Sequence, residues 1–404
     1  MNDPTSHSNP SPSEMSDSLT NPMESGGPLG LGDPRAKLRL EPKTEEKRLM
    51  EIALDFLNQE SRRSDRVAAM STGRGQAAEA VARQSANAPV LLWYIDLFHC
   101  ERAIQHTRLQ RIHDPAIGGE TTLEVDPPSN LRIECMADLP EQEFDVGLLP
   151  LITSGEEELA RDFLQQFYDR LTVGGTLIVS VDNPTDRWLH EQLKVYEKSV
   201  RVRPFADGIV YLIEKTKPLK KRKDYSCELA FRDCDELIRL VTRPGVFSHR
   251  QLDNGARQLL DAVDVYPQAK LIDIGCGSGS VALGLAMRDP TAEIHAVDSN
   301  ARALWCVQKG KELNKLSNIT TQLSADGIYG EPGRFDMALA NPPYFGDFQI
   351  AEKFLTAAHR SLRSGGRLVL VTKQPAWYEE NMPRWFCDSE AFPSRRYHIV
   401  SGVK

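Results

Sequence analysis

The chain has 404 residues, 40% of them hydrophobic and 26% charged, a composition typical of a globular protein with two or three domains. Its formal net charge of -8, from 49 Lys and Arg against 57 Asp and Glu, excludes a protein that coats nucleic acid non-specifically, although a local basic patch is still compatible. The apolar runs are far shorter than the ~18 residues that span a bilayer, and the first residues carry no signal pattern. Seven scattered Cys form no metal-binding pattern. We therefore expect a cytoplasmic protein without a membrane segment or a metal, acting as a monomer.

The first 45 residues are rich in Ser, Pro, Asn, Gly and Asp and contain few large apolar side chains. Such a segment cannot bury enough surface to offset the entropy lost on ordering. The composition predicts a disordered tail over residues 1–45. Helical periodicity begins near Leu49.

An internal repeat follows, in which residues 144–181 match residues 335–372 at a shift of 191 positions without a gap. The identical pairs include Phe144-Asp145 with Phe335-Asp336 and Gly174-Gly175 with Gly365-Gly366. Both copies are typical of a strand, a helix, a Gly-Gly turn and a buried strand. A duplicated α/β unit explains this spacing.

A second pairing at a shift of 202 sets Gly73 and Gly75 against Gly275 and Gly277, and Asp96 against Asp298. Alternating strands and helices indicate mainly parallel sheets. We predict an α/β protein with two tandem Rossmann-like domains at 46–215 and 225–404, joined by a basic linker at 216–224.

The linker overlaps the basic run Lys215-Thr-Lys-Pro-Leu-Lys-Lys-Arg-Lys223. Such a run is either a solvated connection or a hinge that contacts phosphates. For the second interpretation, Lys220, Lys221 and Arg222 are the candidate substrate-binding residues.

The later half has the pattern of a nucleoside-cofactor site, in which an apolar strand runs into a glycine loop and the next two strands each end in an aspartate. A carboxylate at the end of the second strand can accept hydrogen bonds from ribose hydroxyls. The spacing Gly-x-Gly-x-Gly after an aspartate differs from the Gly-x-Gly-x-x-Gly of dinucleotide sites and favours S-adenosylmethionine. The candidate cofactor-binding residues are Asp273, Gly275, Cys276, Gly277, Gly279, Asp298, Asp326 and Asn341.

The tetrapeptide Asn341-Pro342-Pro343-Tyr344 follows a predicted strand and provides the candidate catalytic residues. The lone pair of an exocyclic amine is delocalised, so the amine is a weak nucleophile. Two acceptors, the Asn341 side-chain oxygen and the Pro342 carbonyl, can grip its N–H groups and turn the lone pair towards a methyl donor. Pro343 restricts the residue before it, and Tyr344 offers a face on which a base can stack. The tetrapeptide predicts N-methyl transfer, with catalysis by orientation and without a metal.

The earlier half lacks these groups. At the two shifts, Pro150 replaces Asn341, Ser71 replaces Asp273 and Ala77 replaces Gly279. We interpret this half as a degenerate copy that binds substrate or supports the active half. We interpret Asp96 as a solvent-facing aspartate at the end of a strand, with a relic of a cofactor site as the alternative.

From Arg243 to the C-terminus the chain resembles the tandem-domain ribosomal RNA guanine-N2 methyltransferases, a class I family with a degenerate N-terminal domain. The resemblance includes Pro244-Gly-Val-Phe-Ser248, followed by Leu252-Asp253 and Gly255. It implies that Gly245 to Ser248 and Asp253 help to close the cofactor pocket. One departure is that Tyr344 is followed by Phe345, where the family usually has Phe and then His.

The resemblance implies a substrate of ribosomal RNA or a ribosomal subunit, with the guanine unstacked against Tyr344 and Phe345. Because tyrosine at this place also occurs in other families, two alternatives stay open, methylation of adenine N6 and of a glutamine amide in a translation factor. A third alternative is an RNA-binding assembly factor without catalysis.

Overall fold

A computed structural model of the chain describes residues 41–62, 64–114, 119–343 and 348–404, and within them Pro42–Lys404 form one compact unit. Residues 1–40 of the predicted disordered tail lie outside the described residues. The first helix, α1 (Thr44–Leu57), begins two residues before the predicted domain boundary. Glu45 and Glu46 in its first turn are buried.

The first sheet of the described chain has seven strands in the order β5-β2-β1-β6-β7-β9-β8. Adjacent strands in the part β5-β2-β1-β6-β7 are parallel. β9 pairs antiparallel with β7, and β8 pairs antiparallel with β9 at the edge of the sheet. Its strands are β1 (Val67–Met70), β2 (Val90–Tyr94), β5 (Leu131–Cys135), β6 (Phe144–Leu151), β7 (Leu171–Val181), β8 (Arg201–Pro204) and β9 (Ile209–Glu214). Its further helices are α2 (Gln76–Gln84), α3 (Leu97–His106), α4 (Glu157–Arg170) and α5 (Trp188–Lys194), and a 3-10 turn spans Glu60–Arg62.

The second sheet repeats this topology in the order β14-β13-β12-β15-β16-β18-β17. Its strands are β12 (Lys270–Ile274), β13 (Glu293–Asp298), β14 (Ile319–Leu323), β15 (Phe335–Ala340), β16 (Leu362–Thr372), β17 (Cys387–Ser394) and β18 (Tyr397–Val403). The helices that cover it are α6 (Asn254–Asp261), α7 (Ser280–Arg288), α8 (Ala301–Asn314), α9 (Gln349–Ser361) and α10 (Pro375–Asn381), with a 3-10 turn at Met382–Arg384. Two hairpins lie outside the sheets, β3 (Leu109–Asp114) with β4 (Gly119–Glu124) and β10 (Cys227–Asp233) with β11 (Glu236–Thr242).

The structure confirms the repeat at a shift of 191. In both copies a phenylalanine pairs with the first residue of the next strand, Phe144 with Leu171 and Phe335 with Leu362, and the register shifts immediately afterwards. The predicted Gly-Gly turns lie inside β7 and β16 at these irregularities. Gly174 and Gly365 have φ of 88° and 72° there, a conformation that favours glycine.

The predicted shift of 202 is wrong by two positions. Val67 pairs with Val90 and Val146, whereas Leu271 pairs with Ile294 and Met337. Val146 and Met337 are equivalent at the shift of 191, so Val67 is equivalent to Leu271 and the shift here is 204. The equivalents of Asp273, Asp298 and Asn300 are therefore Ala69, Tyr94 and Asp96, and the equivalent of Gly279 is Gly75. The shift of 202 had matched Gly73 and Gly75 with Gly275 and Gly277. These glycines lie at different distances from the preceding strand in the two halves, so they are not structurally equivalent.

Both sheets are buried in their central strands, as parallel sheets covered by helices on two faces require. In β12, for example, Leu271, Ile272 and Ile274 are each at most 1% exposed. This packing fixes the carboxyl ends of β12, β13 and β15 next to one another, at the edge where ligands of such sheets bind.

Candidate active site

A cavity of about 470 Å³ opens at the carboxyl edge of the second sheet. Its wall includes Gly275 and Gly277 after β12, Asp298 at the end of β13, Asp326 after β14 and the Asn341–Pro343 segment after β15. Four separate strand ends thus bring most of the predicted cofactor and catalytic residues into one wall. Tyr344 and Phe345, also predicted there, lie outside the described residues.

The glycine loop has the shape that its sequence requires. Gly275, Gly277 and Gly279 have φ of 71°, 52° and 83°. A Cβ on Gly277 would lie 2.1 Å from the Phe247 carbonyl oxygen, and one on Gly275 would lie 2.8 Å from the Phe354 ring. Glycine is therefore required for conformation and for space.

Three predicted cofactor residues, Asp273, Cys276 and Gly279, lie in or beside the glycine loop but are not part of the described cavity wall. Cys276 is buried in the core, and Gly279 caps the N-terminus of α7 in a left-handed conformation. The Asp273 carboxylate is 3% exposed and accepts a hydrogen bond from the Ala282 N–H at 3.2 Å. Burial raises the pKa of Asp273 to about 7, and the Ala282 N–H opposes this shift. Direct contact of these three residues with a cofactor stays a prediction.

Asp298, which is predicted to bind the hydroxyls of a ribose, ends β13 and lines the cavity. Its Oδ2 accepts the Gly277 N–H at 2.8 Å and its Oδ1 accepts the Asn300 N–H at 2.9 Å. Each carboxylate oxygen can accept more than one hydrogen bond, so both retain capacity for a ligand hydroxyl. Desolvation raises the pKa of Asp298 to about 6, and the two N–H groups limit the shift.

Asp326 lies in the loop after β14, the strand that pairs with β13. Its Oδ1 accepts hydrogen bonds from the Ser324 hydroxyl at 2.9 Å and from the Ile328 N–H at 3.1 Å. These contacts hold the carboxylate in the Ser324–Gly327 turn, which lines the cavity. The position fits the predicted contact with an adenine amine.

Asn341 leaves β15 at the mouth of the cavity. Its Nδ2 donates a hydrogen bond to Asp253 Oδ2 at 2.7 Å. Pro342 is buried, Pro343 is exposed, and both line the cavity beside Asn341. The predicted acceptor pair thus lies in the same cavity as Asp298, the carboxylate that is predicted to bind a ribose.

The loop at 243–253, which carries part of the family resemblance, forms a second side of the cavity. Gly245, Val246 and Phe247 line it, and the Phe247 carbonyl accepts the Ser278 N–H of the glycine loop at 2.9 Å. The Phe247 side chain is 59% exposed. Loop and glycine turn are therefore held together by backbone contacts.

The first half of the chain also contributes to this wall, through Asp96, Phe98 and His99. Asp96 is not solvent-facing, and the interpretation from the sequence is wrong. Its Oδ2 accepts the Ser299 hydroxyl at 2.7 Å, and its Oδ1 accepts the His99 N–H at 3.2 Å as the cap of α3. Its equivalent, Asn300, caps α8 in the same way, so Asp96 is also not a relic of a ribose-binding carboxylate.

The same half holds the loop at 243–253 from outside. Glu156 accepts the Gly245 N–H at 2.8 Å, and Glu158 pairs with His249 and Arg250 at 3.0 and 2.7 Å. Both glutamates lie at the start of α4, where the helix dipole favours negative charge. No pattern in the sequence indicates that the start of α4 contacts the loop at 243–253.

The glycine loop of the first half is closed by its own side chains. The Ser71 hydroxyl oxygen accepts the Gly73 and Gly75 N–H groups at 2.9 and 3.0 Å, and donates to Glu46 at 2.6 Å. Tyr94 occupies the position equivalent to Asp298. The backbone N–H groups of this loop are therefore hydrogen-bonded to Ser71 and are not offered to a ligand, as expected for a degenerate copy.

The basic run is attached to α4 at several points. Lys215 is buried and donates to the Asp169 and Leu171 carbonyls at 2.8 and 2.6 Å, and the backbone of Lys223 is held by Gln165. Arg222 pairs with Asp169. Lys220 and Lys221 are exposed. Substrate binding by Lys220, Lys221 and Arg222 stays a prediction.

In the described part of the chain, no group of three or more His, Cys, Asp or Glu side chains is arranged to hold a metal ion. Over the same residues, no helix is both long and apolar enough to cross a bilayer.

Comparisons with known proteins agree with this geometry. Residues 237–401 match the family model described as "Methyltransferase small domain". The chain is 30% identical to a ribosomal RNA small subunit methyltransferase C of Ectopseudomonas mendocina over 270 residues, 63% of this chain and 79% of the relative. It is also 30% identical to the protein of that name from Pseudomonas entomophila, over 60% of this chain and 73% of the relative. A solved structure of the T. thermophilus 16S rRNA N2 G1207 methyltransferase, in complex with AdoMet and guanosine, has a similar fold, with a TM-score of 0.67 and 20% identity over 88% of this chain and 92% of that one.

The glycine loop after β12, the carboxylate after β13 and the Asn-Pro-Pro segment after β15 define a class I methyltransferase, built here as two tandem domains of which the first is degenerate. The 30% identity to two relatives, over more than two thirds of the length of each, shows the particular family within this class. The chain belongs to the ribosomal RNA small subunit methyltransferase C family.

Proposed function

We propose that this protein transfers a methyl group from S-adenosylmethionine to the exocyclic N2 amine of a guanine in small-subunit ribosomal RNA. The observation that carries the proposal is the shared cavity, in which Asn341 and Pro342 lie in one wall with Asp298 and the glycine loop. Family membership supports the RNA substrate. The T. thermophilus protein of similar fold is named for guanine N2 methylation, which supports the choice of base.

The cavity fits this cofactor in size and donor set. Its volume of about 470 Å³ lies within the range of roughly 300–1,000 Å³ for small-molecule sites. Asp298 would hold the ribose hydroxyls, the Ser324–Gly327 turn with Asp326 the adenine, and the backbone of Gly275 and Gly277 the amino-acid end. When bound there, S-adenosylmethionine supplies an electrophilic methyl carbon on a sulfonium centre.

The protein's own contribution is orientation. The Asn341 side-chain oxygen and the Pro342 carbonyl accept the two N–H groups of the guanine amine, which turns its lone pair out of the ring plane. That lone pair forms the new N–C bond as the C–S bond breaks. The methylated nitrogen then loses one proton, passed through its acceptor to water. Positioning of this kind lowers a barrier without a strong base.

The target base has to leave its stack to reach Asn341. We propose that Tyr344 and Phe345 contact it, and that Lys220, Lys221 and Arg222 grip the RNA backbone. Three positive charges suit the sequence-independent contacts that position an RNA. Action as a monomer in the cytoplasm remains a prediction.

Labelled S-adenosylmethionine tests the proposal. The protein is incubated with small ribosomal subunits, with protein-free ribosomal RNA and with total protein, all from cells that lack this enzyme. Mass mapping of the labelled nucleotides should find N2-methylguanine in small-subunit RNA. Label in adenine, or only in a glutamine of a translation factor, would assign the alternatives and overturn the guanine proposal.

The matched control is Asn341→Ala. It should remove most of the labelling, leaving a slow residual reaction, and keep the affinity for S-adenosylhomocysteine, because cofactor contacts are spread over the rest of the wall. If the wild-type protein labels no macromolecule and Asn341→Ala leaves its cellular role intact, the assembly-factor alternative replaces the proposed enzyme.

A further inference from the structure

The Asn341 side chain is held by a residue 88 positions away in the chain. Asp253 Oδ2 accepts Asn341 Nδ2 at 2.7 Å, and the same oxygen accepts the Ala256 N–H at 2.8 Å as the cap of α6. The helix is anchored in the core by Leu259 and Leu260, both 0% exposed. Asp253 is therefore a fixed acceptor that reaches Asn341 from a rigid element.

This contact decides which end of the Asn341 amide faces which way. The oxygen and nitrogen of a side-chain amide are nearly equal in size, so packing alone hardly distinguishes the two orientations. A carboxylate only accepts hydrogen bonds, so the NH2 end has to face Asp253. Oδ1 then lies on the other side of the amide. The flipped amide would set two acceptors against each other and would offer a donor, in place of an acceptor, to an incoming amine.

We propose that Asp253 is a positioning residue for methyl transfer, which selects the amide orientation in which Asn341 accepts from the target amine. This inference rests on the proposed function and adds to it. It is distinct from a role in closing the cofactor pocket, since it acts through Asn341. A pocket-closing role would act through cofactor affinity instead.

Two variants separate these roles. In Asp253→Ser the hydroxyl still caps α6, because serine is a good N-cap residue, but it is too short to reach Asn341. In Asp253→Asn one amide oxygen can accept from both Ala256 and Asn341. We expect kcat to fall about 10- to 100-fold in Asp253→Ser, because a misplaced reacting group costs that much, and much less in Asp253→Asn. The dissociation constant for S-adenosylhomocysteine should change less than about twofold in both variants, since they leave the ribose-binding wall intact.

A double-mutant cycle gives the sharper result. If Asp253 acts through Asn341, adding Asp253→Ser to Asn341→Ala should not lower single-turnover methylation further, because the group that it positions is gone. Equal losses in both backgrounds would show an independent structural role and overturn the proposal. A loss of S-adenosylhomocysteine binding that matches the loss of kcat would overturn it too.

A readout without turnover keeps this test separate from the proposed function. In protein labelled with ¹⁵N-asparagine, the two side-chain protons of Asn341 are assigned by their absence in Asn341→Ala. We expect slow exchange with solvent in wild type and at least tenfold faster exchange in Asp253→Ser, because the hydrogen bond to Asp253 is lost. Equal exchange in both proteins would refute the positioning contact, whatever substrate the enzyme uses.

Discussion

The carboxylate of Asp96 accepts the hydroxyl of Ser299 at 2.7 Å across 203 positions of sequence. Backbone hydrogen bonds flank this contact, from Leu97 N–H to the Ser299 carbonyl and from Ala301 N–H to the Ile95 carbonyl, each 2.8 Å long. Asp96 forms an antiparallel bridge with Asn300, its own equivalent in the repeat. The two halves thus meet through equivalent strand ends. In the second half, that strand end is part of the wall of the candidate active-site cavity.

Asp96→Ala should therefore weaken cofactor binding although Asp96 belongs to the degenerate half. Without this contact, cofactor binding has to restore the position of the Ser299 loop. A hydrogen bond to a charged group is worth about 1.5 kcal/mol or more, and a binding cost of that size raises the dissociation constant roughly tenfold. Titration calorimetry with S-adenosylhomocysteine measures this. The control is Asp207→Ala, which removes a partly buried ion pair with Arg48 in the same half, away from the residues that line the cavity. Unchanged affinity in Asp96→Ala would mean that the Ser299 loop keeps its position without this contact.

Gly277→Ala should abolish cofactor binding or fold poorly. The new Cβ would lie 2.1 Å from the Phe247 carbonyl oxygen, at a φ of 52° that alanine rarely adopts. Gly330→Ala is the matched control, because nothing lies within 4 Å of its Cβ position. We expect this control to bind S-adenosylhomocysteine like wild type. Normal binding by Gly277→Ala would contradict the close approach of the two loops.

Glu46 should make stability depend on pH. Desolvation raises its pKa from 4.5 to about 7, opposed by hydrogen bonds from Ser71 and Ala77. Between these values the folded chain keeps a proton that the unfolded chain releases. The associated stability is present below pH 4.5 and is lost as the pH rises through 7. A difference of this size corresponds to roughly 3 kcal/mol at most.

Glu46→Gln removes this titration. Relative to wild type, the variant should be more stable at pH 8.5 than at pH 5, as measured by urea unfolding at both values. Glu51→Gln, on the exposed side of the same helix, should show no such difference. Parallel stability curves for Glu46→Gln and wild type would exclude Glu46 as the titrating group.

Arg302 should be essential for joining the two halves. Its fully buried side chain donates to the Ala137 carbonyl at 2.8 Å and the Pro244 carbonyl at 3.0 Å, and pairs with Asp162 at 2.6 Å. Arg302→Ala leaves Asp162 buried without this partner, a change that costs about 3–5 kcal/mol.

Denaturant unfolding of Arg302→Ala is compared with that of Lys194→Ala, which removes an exposed pair with Glu191 and should change stability very little. Similar losses in the two variants would show that the buried pair adds little to the contact between the halves.

The sequence predicted the features that depend on local pattern. Apolar runs between glycines gave the strands of two doubly wound units, and identical spacing gave the repeat at 191. Asn341-Pro342-Pro343 could be predicted as site residues because few chemistries require the tetrapeptide Asn-Pro-Pro-Tyr after a buried strand. Gly275, Gly277, Asp298 and Asp326 followed from the rule that ligands bind where parallel strands end.

The tertiary structure decided what depends on register and on contacts between distant segments. Strand pairing moved the shift of the first unit from 202 to 204, since a glycine match does not fix its distance from the strand. The structure shows that Asp96 is a helix cap where the two halves meet. It also shows that Glu46 of α1 contacts the closed glycine loop through Ser71. The contact between Asp253 and Asn341 also comes from folding, because hydrogen bonds between segments 88 residues apart leave no periodic trace in a single sequence.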